Sequence, residues 1–191
     1  MSSFFAYLYR MRYIERWGLM RTAAPENLAE HTLDTAILAY ALAAITRDAL
    51  GLDGPAPETC AAAALLHDAP EILTGDLPTP VKYFNPEIAR AYKAVERHAA
   101  DKLIALAPEP LRGRIARDMD PPDQRVREVV HAADKLSAYL KCIEEGKSGN
   151  REFGKAEKQI RQSLEQMPLP ALGYFLEQCL PAYLLSLDEL E

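Results

Sequence analysis

From Gln124 to Glu145 the apolar side chains Val126, Val129, Val130, Ala133, Leu136, Leu140 and Ile143 recur at steps of three and four. That spacing lines one face of an α-helix of about six turns, whereas a strand would scatter the same residues over both faces. Gly146 suits the C-terminal stop. One residue interrupts the pattern: Asp134 lies among Val130, Ala133, Ser137 and Ala138. A carboxylate buried there is costly unless a metal or a cation satisfies it; the ordinary alternative is an exposed aspartate paired with Lys135.

The rest of the chain reads the same way. Asn27 with Glu30 three residues on resembles a capping box, and Pro25 sits where a helix start tolerates it. Leu33, Ile37, Tyr40, Ala41 and Ala44 then predict the apolar face of a helix over Leu28–Ile45, ended by the loop Gly51–Pro57. Glu58–His67 is an alanine-rich helix, and Pro70 discourages helix through Ala69. Ile72–Pro86, with Gly75, Pro78, Pro80 and Pro86, predicts a turn-rich loop. Helix resumes over Pro86–Leu106, with Ile88, Tyr92, Val95 and Ala99 on one face. Pro108–Pro122 is broken by prolines, Ser148–Gly154 is a polar connection, and Lys155–Met167 and Gly173–Leu187 are helical. Strand-like alternation and repeats are absent. The expectation is an all-α fold, one domain over residues 1–191.

Composition narrows the functions. With 22 Lys+Arg against 28 Asp+Glu the net charge is −6, and no basic run offers a footprint for a nucleic acid polymer or a membrane surface. A small anionic substrate remains compatible, since a few local cations and a metal override a net negative field. The apolar stretch Thr35–Ile45 is too short to span a bilayer, and Met1–Arg12 alternates aromatics with arginines rather than forming a leader. Cys60, Cys142 and Cys179, odd in number and set in apolar helices, read as buried reduced thiols. A cytoplasmic protein is expected.

The chain holds four histidines, two of them in contexts that suit metal ligation. His31 sits one turn into its helix, and His67-Asp68 follows the apolar run Ala61–Leu66. Adjacent helical residues diverge by about 100°, so His67 and Asp68 reach one ion only beside a helix end, which the Pro70 break favours. Singly, each histidine is more often a satisfied core residue. As a set, His31, His67, Asp68 and Asp134 supply two imidazoles and two carboxylates, enough to hold a divalent cation with positions left open. His131 stands one turn before Asp134 and is a weaker candidate; His98, amid Glu96, Arg97 and Asp101, reads as solvated.

The order His, His-Asp, Asp resembles the HD phosphohydrolase superfamily, all-helical metal-dependent phosphatases and phosphodiesterases. The stretches Glu15-Arg16-Trp17, Ala29-Glu30-His31-Thr32, Leu66-His67-Asp68-Ala69 and Leu73-Thr74-Gly75-Asp76-Leu77-Pro78-Thr79-Pro80-Val81-Lys82-Tyr83 are similar to the bacterial HD-domain 5'-deoxynucleotidases. So are Ala133-Asp134, Ala138-Tyr139-Leu140-Lys141-Cys142 and Leu185-Ser186-Leu187-Asp188-Glu189. The similarity runs from about Phe4 to Asp188, and its most specific part is the 73–83 block. The resemblance implies an HD-domain helical bundle in which His31, His67, Asp68 and Asp134 bind a divalent metal (Co, Mn, Fe, Zn or Mg). It implies that Arg16 orients the phosphate, Trp17 shapes the sugar pocket, and Asp76, Leu77, Pro78 and Thr79 contact the nucleotide. Asp68 and Asp134 would also meet substrate, with Asp68 and Glu71 joining Arg16 in catalysis. The implied substrates are deoxyribonucleoside 5'-monophosphates, and the implied assembly is a homodimer.

The residue types suit that chemistry. A metal neutralises phosphate charge and lowers the pKa of a coordinated water from 15.7 toward about 7. Arg16, permanently charged and fork-shaped, binds phosphate bidentately. Glu71, three residues past Asp68, is near enough for general acid–base help, worth about 10²–10⁴-fold. Lys82 reads as a solvated lysine. Two alternatives stay open: another HD activity (cyclic-nucleotide phosphodiesterase, (p)ppGpp hydrolase or dNTP triphosphohydrolase), or a non-catalytic helical interaction module stabilised by a metal.

Overall fold

The computed structural model describes residues 1–82 and 84–190; Tyr83, the last residue of the motif block, lies outside them. Among the described residues ten α-helices, joined by short turns, make the fold, and the one extended pairing is an isolated antiparallel bridge between Glu15 and Asn27. The helices are α1 (Phe4–Leu8), α2 (Leu28–Ala44), α3 (Pro57–Ala64), α4 (Glu71–Thr74), α5 (Thr79–Lys82), α6 (Pro86–Leu106), α7 (Arg112–Met119), α8 (Gln124–Lys147), α9 (Gly154–Glu165) and α10 (Pro170–Gln178).

The capping box forms as the sequence predicts. The Asn27 side chain accepts from Ala29 N and Glu30 N at 3.0 and 3.1 Å, and Glu30 accepts from Asn27 N at 3.1 Å. Caps of this kind stabilise a helix by about 1 kcal/mol. Here the cap also sets the phase of α2, which puts His31 on its buried side.

That side is not the one the apolar spacing suggests. Leu33, Ile37 and Tyr40 are 56%, 57% and 48% exposed, whereas Ala36, Leu38, Ala39, Leu42 and Ala43 are buried. The helix is apolar nearly all round, so periodicity alone does not choose a face. Packing chooses the small one. Ala36, Ala39 and Ala43 join Ala63 and Ala64 of α3 and Ala132 and Ala133 of α8 in one core. Small side chains let the helix axes approach closely; Leu38 and Leu42 fill the core beside them, and Leu33, Ile37 and Tyr40 are left outside. Helix α6 behaves similarly: Ile88 and Val95 face solvent, and only its last turns, with Ala99 and Leu103, reach the core. The α8 stripe is buried as expected, with Leu140 at its edge.

Other boundaries move. The helix begun at Leu28 runs on through a π-turn, Ile45–Ala49, so the continuous segment is 22 residues and longer than its apolar stretch implied. Its length and composition would suit a membrane, but half of it is buried against the rest of the protein, as a core helix is. Helix α3 stops at Ala64, so His67 and Asp68 lie in successive hydrogen-bonded turns rather than in helix. Within the expected loop Ile72–Pro86 stand the single-turn helices α4 and α5, and α7 forms inside the proline-broken Pro108–Pro122. Those prolines sit at helix ends, where their missing N–H costs nothing. The C-terminal helix ends at Gln178, with 3₁₀ turns beyond it.

Two cores result. One joins α2, α3, α8, α9 and α10; the other joins α1, the start of α2, α6 and α7 around Phe4, Leu28, Leu103 and Ile115. The α3–α4 turns run between them, with Ala69 in the second core. All three cysteines are free; Cys60 and Cys142 are buried, and burial pushes their thiols up to about 11 and about 12.

Candidate active site

Three segments converge beside that seam. α2 contributes His31, the α3–α4 turns contribute His67 and Asp68, and α8 contributes Asp134. The candidate ligand atoms of these four all lie within 4.8 Å of one another. His31 Nε2 stands 3.1 Å from Asp134 Oδ1 and 3.6 Å from Asp68 Oδ2, and His67 Nε2 stands 3.0 Å from Asp68 Oδ2. Asp134 is 33% exposed, and its Oδ1 faces His31.

The ring hydrogen bonds prepare both imidazoles for a cation. His67 Nδ1 donates to the Ala64 carbonyl at 2.7 Å. His31 Nδ1 sits 3.2 Å from Ser137 Oγ. With Nδ1 occupied, each ring turns its Nε2 lone pair toward the cluster, as ligating histidines do. His67 Nε2 is buried and, though 3.0 Å from Asp68 Oδ2, makes no well-formed hydrogen bond, an orphan that a cation would satisfy. The residues therefore fit a divalent ion. Burial would depress both histidines, yet contact with Asp134 and Asp68 raises His31, and the Asp68 charge carries His67 up to about 9. Asp68 is held well below the usual carboxylate range, its burial outweighed by the two imidazoles.

Arg16 enters from the segment before α2. Its Nη1 lies 3.8 Å from Asp68 Oδ2 and 4.0 Å from Asp76 Oδ1. The 73–83 block thus meets the cluster through Asp76, just past Gly75, whose φ of +75° makes the turn. Leu77 and Pro78 follow, half-buried, on that loop, and Thr79 is exposed at the start of α5. Glu71 is buried one turn past Asp68; burial first, and then the Asp68 and Asp76 charges, push its carboxyl up to about 8. His131 is exposed and outside the cluster, and His98 is exposed as expected.

Residues that sequence reasoning did not single out, among them Glu26, Phe153 and Glu145, complete the surroundings. Glu26, buried before the α2 cap, accepts from both Arg16 Nε and Trp17 Nε1, at 3.1 and 2.8 Å. Trp17 adopts φ +60°, a left-handed conformation that costs a non-glycine residue about 1–3 kcal/mol. Its indole packs on the buried Phe153, with ring centroids 5.1 Å apart. Lys82 is not a solvated lysine: its Nζ donates to Glu96 at 2.6 Å, lies 3.9 Å from Glu71, and sits over the Tyr92 ring. Deeper still, Glu145 and Lys141 of α8 hold the backbone of Ala23 and Ala24. A separate cleft of about 490 Å³, lined by Pro55, Arg114, Arg117 and Arg125 among others, contains none of these groups.

The chain is similar to known proteins along nearly its whole length. The 5'-deoxynucleotidase YfbR-like family model matches residues 3–183. The chain is 44% identical to a 5'-deoxynucleotidase of Vibrio parahaemolyticus, covering 99% of this chain and 98% of that protein. It is 47% identical to the 5'-deoxynucleotidase YfbR of Salmonella paratyphi B, covering 99% and 96%. Among solved structures, an HD-domain phosphohydrolase of Listeria innocua superposes with a TM-score of 0.79 at 23% identity, over 95% of this chain and 88% of the other. A cyanophage S-2L HD phosphohydrolase, bound to dA and one catalytic Zn²⁺, superposes with a TM-score of 0.64 at 22% identity, over 92% and 95%. At those identities the two structures attest the fold alone. Sequence match along nearly the whole chain and the convergence of His31, His67, Asp68 and Asp134 agree, and the chain belongs to the YfbR-like 5'-deoxynucleotidase family.

Proposed function

We propose that this chain is a metal-dependent phosphomonoesterase that releases phosphate from deoxyribonucleoside 5'-monophosphates. The observation that carries the reading is the approach of Arg16 to Asp68 and Asp76, beside four groups arranged to ligate a cation. His31, His67, Asp68 and Asp134 would hold the ion, which supplies Lewis acidity toward the phosphate and acidifies the attacking water. The ligand types admit Co, Mn, Fe, Zn or Mg.

The remaining work falls to the protein. Arg16 presents its Nη edge to the phosphate and orients it in its bidentate fork. Glu71, buried one turn past Asp68, would pass a proton to the leaving 5'-oxygen as the P–O bond breaks. Trp17 walls the sugar, and Asp76, Leu77, Pro78 and Thr79 line the nucleoside side, where a proline-stiffened loop limits the entropy lost on binding.

The assembly we propose is a homodimer joined through the outer face of α2. Leu33, Ile37 and Tyr40 form an exposed apolar stripe, flanked by Glu30 and Asp34 toward one end and Arg47 at the other. A second copy laid antiparallel across it would bury both stripes and set Arg47 against the partner's acidic end, the self-complementarity a two-fold contact requires. Free thiols in all three cysteines suit a reducing, cytoplasmic location.

The test is phosphate release from a panel of deoxy- and ribonucleoside 5'-monophosphates, cyclic nucleotides and nucleoside triphosphates, each metal being added in turn to stripped protein. Metal-dependent release from the deoxynucleotides is expected. Equal rates on ribonucleotides would remove the sugar selectivity, and tripolyphosphate or pyrophosphate as the product would reassign the reaction.

A further inference from the structure

Glu26 belongs to no metal-ligand set and to none of the motif stretches, yet it is only 9% exposed and one of its oxygens serves two donors on neighbouring residues. The backbone brings them together. Arg16 N donates to the Glu26 carbonyl at 3.0 Å and Leu28 N to the Ile14 carbonyl at 2.8 Å, with the Glu15–Asn27 bridge between. Residues 14–16 are thus clasped to the segment that caps α2, the helix bearing His31.

The side-chain geometry follows from that clasp. Glu26 Oε2 takes Arg16 Nε, so the guanidinium is held by its Nε edge and Nη1 is turned toward Asp68 and Asp76. The same oxygen takes the Trp17 indole N–H, while Phe153 supports the ring and the Met20 N–H caps the Trp17 carbonyl at 2.7 Å. Trp17 keeps its left-handed φ inside this set of contacts.

We infer that Glu26 is a positioning residue that aligns the phosphate-orienting Arg16 and the sugar-facing Trp17 together, so that one buried carboxylate couples phosphate binding to sugar discrimination. The inference rests on the nucleotidase reading above for what Arg16 and Trp17 meet; the alignment itself does not. Arginine bound by one edge keeps its other edge free for a second anion, the fork geometry that makes it a phosphate reader. A site off by a fraction of an ångström loses rate and selectivity without losing its fold.

Three variants of the metal-loaded protein test this. Glu26→Leu removes the shared acceptor, Glu26→Asp keeps the charge but is one methylene too short for both donors, and Glu26→Gln keeps an acceptor oxygen in place. With Leu and Asp, KM for deoxynucleoside monophosphates should rise and the deoxy-to-ribo ratio of kcat/KM should fall, each by about tenfold, one lost hydrogen bond to a charged group. Glu26→Gln should restore both to within a few-fold. Trp17 is the sole tryptophan, so its emission reports alignment without turnover: Leu and Asp should red-shift it and increase acrylamide quenching, and Gln should not. Should Glu26→Leu fail to fold, Glu26→Asp still decides. A change in kcat alone, with KM, ratio and emission unmoved, would mean a merely structural carboxylate and overturn the inference. A wild type that hydrolyses no deoxynucleotide would instead overturn the nucleotidase reading, while the emission series still judged Glu26.

Discussion

Replacing Glu145 with glutamine should loosen the segment that carries Trp17 and Glu26 while leaving the metal cluster untouched. The Glu145 side chain, buried near the end of α8, accepts from Ala23 N at 2.8 Å, Ala24 N at 3.2 Å and Asn150 Nδ2 at 2.7 Å, and pairs with Lys141 Nζ at 2.9 Å. Burial alone would raise its pKa, but these donors hold it at about 2 against an ordinary 4.5. At about 1.36 kcal/mol per pKa unit that shift corresponds to about 3 kcal/mol. The amide oxygen of the glutamine variant still accepts from some of these donors, so about 2 kcal/mol of it is removed. Since the folded-state value is the lower one, the contribution is present above pH 4.5 and drains away as pH falls toward 2.

Glu145→Gln keeps the shape, removes the charge and turns one acceptor into a donor facing backbone N–H groups. Urea unfolding of both proteins, followed by circular dichroism from pH 7 down to pH 3.5, reads the difference. The variant should be weaker by about 2 kcal/mol at pH 7, or about 4–8 °C in Tm for a chain of this size, and the gap should shrink on acidification. A gap of the same size at both ends of the range, or none at pH 7, would refute an electrostatic latch.

Three further outcomes are expected. His31→Ala should lose both bound metal, by elemental analysis, and phosphate release; Arg16→Ala should keep the metal while kcat/KM falls by roughly 10²–10³-fold, and a kinetically silent Arg16→Ala would contradict the phosphate assignment. Treatment with a chelator should abolish turnover, and adding back one of the candidate divalent ions should restore it. In metal-free protein, the raised Glu71 carboxyl contributes stability that is fully present below pH 4.5 and is lost as pH rises through about 8. Urea midpoints should therefore decline over that window, and Glu71→Gln should flatten the slope.

The candidate site was legible in the sequence as a set, not one residue at a time. His31, His67, Asp68 and Asp134 stand in an order that singles them out, and Arg16, Trp17 and Asp76 sit in recognisable motifs. Glu26 was not legible, because an acid before a helix cap looks like any acid favoured by the helix dipole. The contacts on which its proposed role rests arise only when the Ile14–Arg16 segment folds back beside it. Lys82 misled for a related reason: its partner Glu96 is fourteen residues away on another helix.

Helical periodicity, the Asn27–Glu30 cap and the proline breaks, all local in origin, determined by themselves an all-α chain, the starts of its long helices at Leu28, Pro86 and Gln124, and its chemically unusual residues. Which face of α2 turns inward was decided only by tertiary packing. An apolar helix offers several faces, and the one lined with alanines won because it lets α3 and α8 come close. That same close approach brings His31, the His67-Asp68 turn and Asp134 to one point, which spacing along a chain cannot specify.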